Sequence, residues 1–300
     1  MSSTDTTIRE VARITSSHRQ REGAGFVVRR PFPSMNLDSV DPFLLIDEMG
    51  PADYAPGEAI GAPDHPHRGF ETVTYVLEGE MEHEDSAGHR GRIGPGDVQW
   101  MTAGAGIIHS EEPSKRIREQ GGRLHGFQIW VNLPKRLKMT RPRYQEITSE
   151  KLPVATTEDG LARVRVVAGE ALGVRAVIDT HTPIVYQDWS LKPGADATVS
   201  VSSELRAMVY VFEGAVQVGA NKRLVEEGQL AILEPGDAVR LSGADVPGRL
   251  LLLAGVPIRE PVARHGPFVM NTRQELVEAF QDFQSGRMGE ITRTAEVLGG

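Results

Sequence analysis

Three hundred residues are enough for two domains of about 150 each. Charged residues make up 25% and apolar residues 39%, an ordinary globular balance, while 32 glycines and 19 prolines point to many turns and hence many short strands. The net charge of −8 lacks the basic footprint of a nucleic-acid binder, no apolar run approaches the ~18 residues of a membrane span, and the absence of cysteine excludes disulfides and thiolate metal sites.

The opening MSSTDTTIREVARITSSHRQ carries acidic residues and no apolar stretch, so a cytoplasmic protein is expected. The polar segment 1–24 is expected to be flexible, with the first strand at 25–29. DPFLLIDEM (41–49) reads as a buried strand between turn signals. Short apolar or alternating stretches follow at 71–77, 79–84, 98–102, 106–111 and 124–132, separated by Gly, Pro and Asp clusters. That spacing predicts an all-β sandwich or barrel over 25–134. An irregular, charged stretch at 135–160 reads as a linker, and its basic run from Lys135 to Arg143 as a solvated face or a contact for an acidic partner. Strands resume at 162–168, 183–191, 206–212, 215–219, 229–233 and 248–254, giving a second β domain over 161–290. Thr272-Arg-Gln-Glu275 is a capping-box pattern, and Leu276, Val277, Phe280 and Phe283 recur at helical spacing, so a helix is expected over about 272–284. HGPFVMN just before it should lie against a sheet.

An internal repeat links the halves. Tyr75-Val-Leu-Glu-Gly79 returns as Tyr210-Val-Phe-Glu-Gly214, an offset of 135, and Pro95-Gly96-Asp97 returns as Pro235-Gly236-Asp237, an offset of 140. A duplicated β domain follows.

Without cysteine, a metal must be held by histidine and carboxylate. His65-Pro-His67 and His109-Ser-Glu111 each place two such groups at i and i+2, which share one face of an extended chain. Two pairs on neighbouring strands would make a pocket of three imidazoles and one carboxylate, suited to iron, copper, nickel, manganese or zinc with coordination positions left open. A surface turn and a hairpin segment are the plain alternatives. The co-occurrence of the pairs weighs against them, as do Gly104 and Gly106, which admit a close backbone, and the apolar Ile107 and Ile108. Glu71 shares odd parity with His65 and His67 and is a candidate neighbour of the ligands. His125 and Gln128, in HGFQIWV, are weaker candidates for the same shell, and His125 fits a satisfied structural histidine better. His83 and His89 in the polar hairpin HEDSAGH are expected to meet water. Trp100 and Met101 fall on opposite faces, one toward the core and the other toward a pocket wall.

HxH-x3-E before a glycine, then PGD and G-x2-H, is similar to the two cupin motifs. More narrowly, DHPHRGFETVTYVLEGEMEHEDSAGHRGRIGPGDVQWMTAGAGIIHSE resembles the pirin family, as do DPFLLIDE, QIWVNLP and GPFVMNT, over about Gly25 to Phe283. The resemblance implies two tandem cupin barrels (double-stranded β-helix, or jelly-roll) with a C-terminal helix. It also implies one metal per chain on His65, His67, His109 and Glu111, usually Fe2+, with Cu2+, Ni2+, Mn2+ and Zn2+ as alternatives. The general cupin carboxylate would fall on Glu71, but the spacing from Glu71 to Gly79 is one residue longer than usual, and the pirin carboxylate resembles Glu111. Carrying the offsets forward places Ser200, Ser202, Arg206, Arg249 and Leu251 at the site positions of the second half, so that barrel is expected to be metal-free.

Two functions follow from the resemblance. One is a quercetin 2,3-dioxygenase-like enzyme, cleaving a flavonol with O2 and releasing CO, with Glu111 as the base that takes the substrate proton. The other is a metal- or redox-sensing regulator that acts through protein partners without turnover. A monomer that binds neither nucleic acid nor membrane is expected for both.

Overall fold

The computed structural model describes residues 6–292 and shows two antiparallel β barrels back to back. Among these residues no helix is long and apolar enough to cross a membrane. In the N-terminal barrel a sheet runs Arg143–Ile147, Val98–Thr102, Phe70–Glu78, Gly122–Asn132, Phe43–Tyr54, Phe26–Phe32, His18–Glu22. In the C-terminal barrel the matching order is Val11–Ser16, Gln229–Leu233, Arg206–Val218, Ala238–Gly255, Ile184–Leu191, Ala162–Ala168, Val154–Thr156. The duplication expected from the repeat is therefore a duplication of sheet order.

The outermost strands correct two expectations. Segment 1–24 contains the strands Val11–Ser16 and His18–Glu22, the first pairing with Gln229–Leu233 of the far barrel. The stretch 135–160 supplies Arg143–Ile147 to the N-terminal sheet and Val154–Thr156 to the C-terminal one. All four are edge strands, which need only a thin apolar face: in VARITS, only Val11 and Ile14 pack on the core. Val11–Ser16 and Arg143–Ile147 pair with strands far away in sequence, His18–Glu22 is polar and Val154–Thr156 is short, so local pattern reads all four as loop. The basic run also departs from a solvated face, because Lys138 is buried. Its ammonium donates to the Gly69 carbonyl (2.8 Å), Asn132 Oδ1 (2.7 Å) and the Val269 carbonyl (3.0 Å).

The two large sheets pack face to face through an apolar layer drawn from both barrels, including Val73, Tyr75, Trp100 and Phe127 on one side and Met208, Tyr210, Phe212 and Leu251 on the other. Central strands are thus buried on both faces. Along Phe70–Glu78, Val73 and Tyr75 enter this layer while Thr74 and Val76 face the interior of the N-terminal barrel. The run Leu250–Leu253 alternates likewise, with Leu250 and Leu252 inside the C-terminal barrel and Leu251 and Leu253 in the shared layer. Strands with two dry faces lose polar alternation and read as continuous apolar runs.

Cross-strand register makes the pseudo-twofold relation residue-specific. Tyr75 stands opposite Phe127, which stands opposite Glu48; Tyr210 stands opposite Leu251, which stands opposite Asp188. Each tyrosine donates across the layer to the other barrel's carboxylate, Tyr75 to Asp188 at 2.7 Å and Tyr210 to Glu48 at 2.6 Å. Arg29 pairs with Glu48 (2.5 Å) and Arg249 with Asp188 (3.1 Å). Burial, and then the adjacent carboxylate, push both phenol pKa values up, so the hydroxyls remain donors.

The C-terminal helix forms as expected at Arg273–Gln284, with Thr272 and Glu275 completing a reciprocal capping box. Before it, Ala263–His265 and Phe268–Met270 form a hairpin that returns to the N-terminal barrel, with the Val269 amide donating to the Arg68 carbonyl at 3.1 Å.

Removing either phenol hydroxyl strands part of a buried carboxylate. Tyr75→Phe and Tyr210→Phe should each lower stability by about 1.5–3 kcal/mol, the range for a hydrogen bond to a charged group. Denaturant midpoints should show two similar losses; an effect confined to one variant would break the pairing of the two contacts.

Candidate metal centre

The strand Ala62–His67 lies beside Ile107–Pro113, with His65 opposite His109 and His67 opposite Ile107. Alternation then turns all three imidazoles toward one point. One ring nitrogen from each falls within 4.8 Å of the others, and the ring centroids stand 4.4–5.0 Å apart. Gly104, with φ of +50°, permits the turn into the second strand: a Cβ there would sit 2.1 Å from the Thr140 carbonyl oxygen.

Two of the rings are oriented by backbone carbonyls. His65 Nδ1 lies 2.7 Å from the Pro63 oxygen and His67 Nδ1 3.3 Å from the Pro267 oxygen, so each donates there and leaves Nε2 with its lone pair. His109 is buried and neither of its ring nitrogens has a hydrogen-bond partner. Burial, then the neighbouring histidines, push His67 and His109 well below the usual imidazole pKa. Neutral imidazoles with converging lone pairs are what a transition-metal ion requires. A buried polar atom without a partner also costs free energy, which coordination would remove. The donor set fits a metal.

Glu111 Oε2 lies 3.9 Å from His109 Nε2. Its carboxylate is held from the facing sheet, Thr74 Oγ1 standing 2.7 Å from Oε1 and Gln128 Nε2 donating to Oε2 at 3.3 Å. Gln128 thus falls beside the centre. The register slips between His109 and Glu111, which sets the carboxylate apart from the imidazoles.

Glu71 is elsewhere. Gly69, with φ of +88°, breaks the strand after His67, and its missing side chain admits the Val269 carbonyl, which a Cβ would meet at 2.0 Å. The turn reverses parity: even-numbered Thr74 faces the centre, while Glu71 turns away, accepts from Thr102 Oγ1 at 2.6 Å and is pushed up in pKa by burial. His125 also stays clear of the triad. It lines the adjoining pocket with Nε2 3.0 Å from Glu48 Oε1, a satisfied structural histidine.

Three further expectations change. His83 is buried, 2.7 Å from Glu146 Oε1 and stacked on Tyr144, and it stands opposite Glu111 in the ladder, while His89 is exposed beside Asp85. Trp100 and Met101 are both core residues and neither lines the pocket. In the C-terminal barrel, register replaces the offset arithmetic: Val199 stands opposite Val239 as His65 does opposite His109, and Leu241 opposite Val218 as Glu111 does opposite His83. The counterparts of the four site residues are thus Val199, Val201, Val239 and Leu241, all buried in an aliphatic core, rather than Ser200, Ser202, Arg249 and Leu251.

Beside the triad opens a pocket of about 500 Å³, walled by Leu45, Met49, Val76, Leu124 and Trp130, with His65, His67 and Glu111 at its inner surface. Arg264 and the Arg30–Asp47 ion pair contribute charge, and Arg264 lies over the Trp130 ring at 4.9 Å. Pro267 and Arg264 both belong to the returning C-terminal hairpin, a contribution that the GPFVMNT segment signals only by resemblance.

His67→Ala and His109→Ala should each lower bound metal from about one equivalent per chain by at least tenfold, while far-ultraviolet circular dichroism stays native, because apolar strands form the barrel. Elemental analysis after reconstitution checks this. Full occupancy in either variant, or close to two tight equivalents in the parent, would contradict the site.

The family model "Pirin" matches residues 25–131, and "Pirin C-terminal cupin domain" matches residues 186–289. The chain is 45% identical to mouse pirin over 278 residues, covering 91% of each protein, and 41% identical to a pirin-like protein of tomato (Solanum lycopersicum), covering 96% of each. A crystal structure titled quercetin 2,3-dioxygenase, from Acinetobacter baumannii, superposes with a TM-score of 0.87 at 38% identity over 95% of this chain and 100% of that one. The chain, two cupin barrels with a histidine triad in the first, belongs to the pirin family.

Proposed function

We propose that the protein is a metal-dependent dioxygenase that cleaves planar aromatic hydroxy compounds of the flavonol class with O2, releasing CO. The observation that carries this reading is the buried, unpartnered His109 within a triad that opens directly onto a pocket of about 500 Å³. That volume is in the range of small-molecule sites. A sensor that only exchanges a metal or an electron needs no such cavity. The similarity to the Acinetobacter baumannii structure titled quercetin 2,3-dioxygenase supports the same reaction class.

His65, His67 and His109 would hold one divalent ion, with Fe2+ the favoured identity, and Glu111 would serve as a fourth ligand or as a base. When bound, that ion lowers the pKa of a coordinating hydroxyl and supplies redox capacity toward O2. The chain's own residues perform the rest. The apolar walls around Trp130 and Val76 take the rings and exclude water. Glu111 accepts the substrate hydroxyl proton on its carboxylate, and the fixed contacts from Thr74 and Gln128 hold that carboxylate toward the imidazoles. Those contacts come from the large sheet, so the base, carried by Ile107–Pro113, is held from the facing sheet as well as from its own strand.

Oxygen consumption and CO release, per bound metal and with quercetin as substrate, test the proposal. Glu111→Gln should retain part of its metal and lose turnover by about 10²-fold or more, the range of a positioned base. Glu71→Gln, on the opposite face of its strand, should change turnover little. Loss in Glu71→Gln with full activity in Glu111→Gln would reverse the assignment. A metal-loaded parent without oxygen uptake on any flavonol would overturn the proposal.

A further inference from the structure

The pseudo-twofold relation exposes an asymmetry of charge between the barrels. Arg29 of the N-terminal barrel reaches the Glu227-Gly228 turn of the other barrel, where its Nη1 donates to Glu227 Oε1 at 2.7 Å. Its counterpart is Arg165, opposite Asp188 as Arg29 is opposite Glu48. Gly96 is the counterpart of Gly228: each amide donates to the valine of the repeated Tyr-Val motif, Val76 at 2.7 Å and Val211 at 2.8 Å. Arg165 packs against Gly96, where a Cβ would meet its Nη1 at 2.4 Å. The residue before that glycine is Glu227 on one side and Pro95 on the other. The carboxylate that closes the first notch has no equivalent in the second.

The second notch also carries more positive charge. Arg249 stands where the first has His125, each paired with the glutamate of the repeated Glu-Gly turn, Glu213 and Glu78. Arg163 stands where the first has Val27, two residues before the counterpart arginine. Arg163, Ser190 and Arg249 are directly cross-strand, so their side chains share one face. With Arg165, Pro95 and Gly96 they line a cavity of about 390 Å³ between the barrels. Arg163 and Arg165 have no ion pair among the described residues, although the Arg165 guanidinium also donates to the Tyr75 hydroxyl at the cavity wall. Neither nearby carboxylate lines the cavity: Asp188 Oδ2 accepts from Tyr75 and Arg249 while its Oδ1 is buried without a partner, and the exposed Glu213 lies 3.9 Å from Arg249.

We propose that this notch binds a small oxyanion, a carboxylate or a phosphate, gripped by Arg163 and Arg165 with the Ser190 hydroxyl as a further donor, in the place that Glu227 fills on the related side. The forked guanidinium donors match planar and tetrahedral oxyanions alike. The ligand sits across the barrel interface, so it ties Pro95-Gly96 of one barrel to the arginines of the other and should stabilise their docking.

Isothermal titration calorimetry with inorganic phosphate and, separately, succinate, each against sodium chloride at equal ionic strength, tests this. One equivalent of at least one anion should bind, and the tighter of the two identifies the class. Arg163→Gln combined with Arg165→Gln should weaken binding at least tenfold. Pro95→Glu, which installs the carboxylate found on the related side, should abolish it and raise the melting temperature in the absence of anion. No binding beyond the chloride control, or binding unchanged in the arginine double variant, would overturn the proposal. Those two arginines are partly or fully exposed, so the double variant should fold even if Pro95→Glu does not.

Discussion

Three imidazoles pressed ring against ring inside a barrel, one of them with no hydrogen-bond partner on either nitrogen, form an arrangement that folding alone does not favour. A buried polar atom without a partner costs about 1–3 kcal/mol, and the hydrophobic effect gives no reason to place histidine there. A Lewis acid shared by all three lone pairs is the one partner that satisfies them together. The surrounding structure serves that geometry. The Pro63 and Pro267 carbonyls set two ring orientations, Thr74 and Gln128 set the carboxylate, and the C-terminal hairpin returns across the molecule to deliver one of those carbonyls.

Duplication separates roles between the barrels. One keeps three converging imidazoles with a carboxylate beside them; the other fills the four corresponding positions with Val199, Val201, Val239 and Leu241 and becomes an ordinary aliphatic core. What the second barrel adds is a rigid back. Its sheet covers the reverse face of the strands that carry Thr74 and Gln128, and Tyr210 reaches through to Glu48, which also holds His125 beside the pocket. The precision of the site therefore rests on the interface between barrels as much as on the metal strands.

The histidine triad was legible because an i, i+2 pair in extended chain leaves a local signature, and the capped helix because its box is local too, whereas the pairing of His109 with Glu111 did not survive the slip in register between them. The edge strands were not, since Val11 finds its partner near Leu233 and nothing in VARITS announces it. Glu71 was misplaced because parity counted through Gly69, where a left-handed turn restarts the alternation. His83 looked solvated in a polar hairpin, yet Tyr144 and Glu146 from the supposed linker cover it. The repeat arithmetic drifted for a topological reason. In the first half the helix Lys115–Gln120 interrupts the path from Ile107–Pro113 to Gly122–Asn132, whereas one strand, Ala238–Gly255, runs straight through in the second. The offset therefore changes across that helix, which is why Arg249 is the counterpart of His125; before the helix the Pro-Gly-Asp offset misleads, because Gly96 matches Gly228 rather than Gly236, and His109 matches Val239.

Anomalous diffraction from metal-loaded crystals, at the absorption edge of the bound ion, decides whether the buried triad is a single metal site. One strong peak per chain is expected, at about 2.0–2.2 Å from a ring nitrogen of each of His65, His67 and His109, with no peak among Val199, Val201, Val239 and Leu241. A stoichiometrically loaded protein whose peak lies away from those three nitrogens would contradict the account.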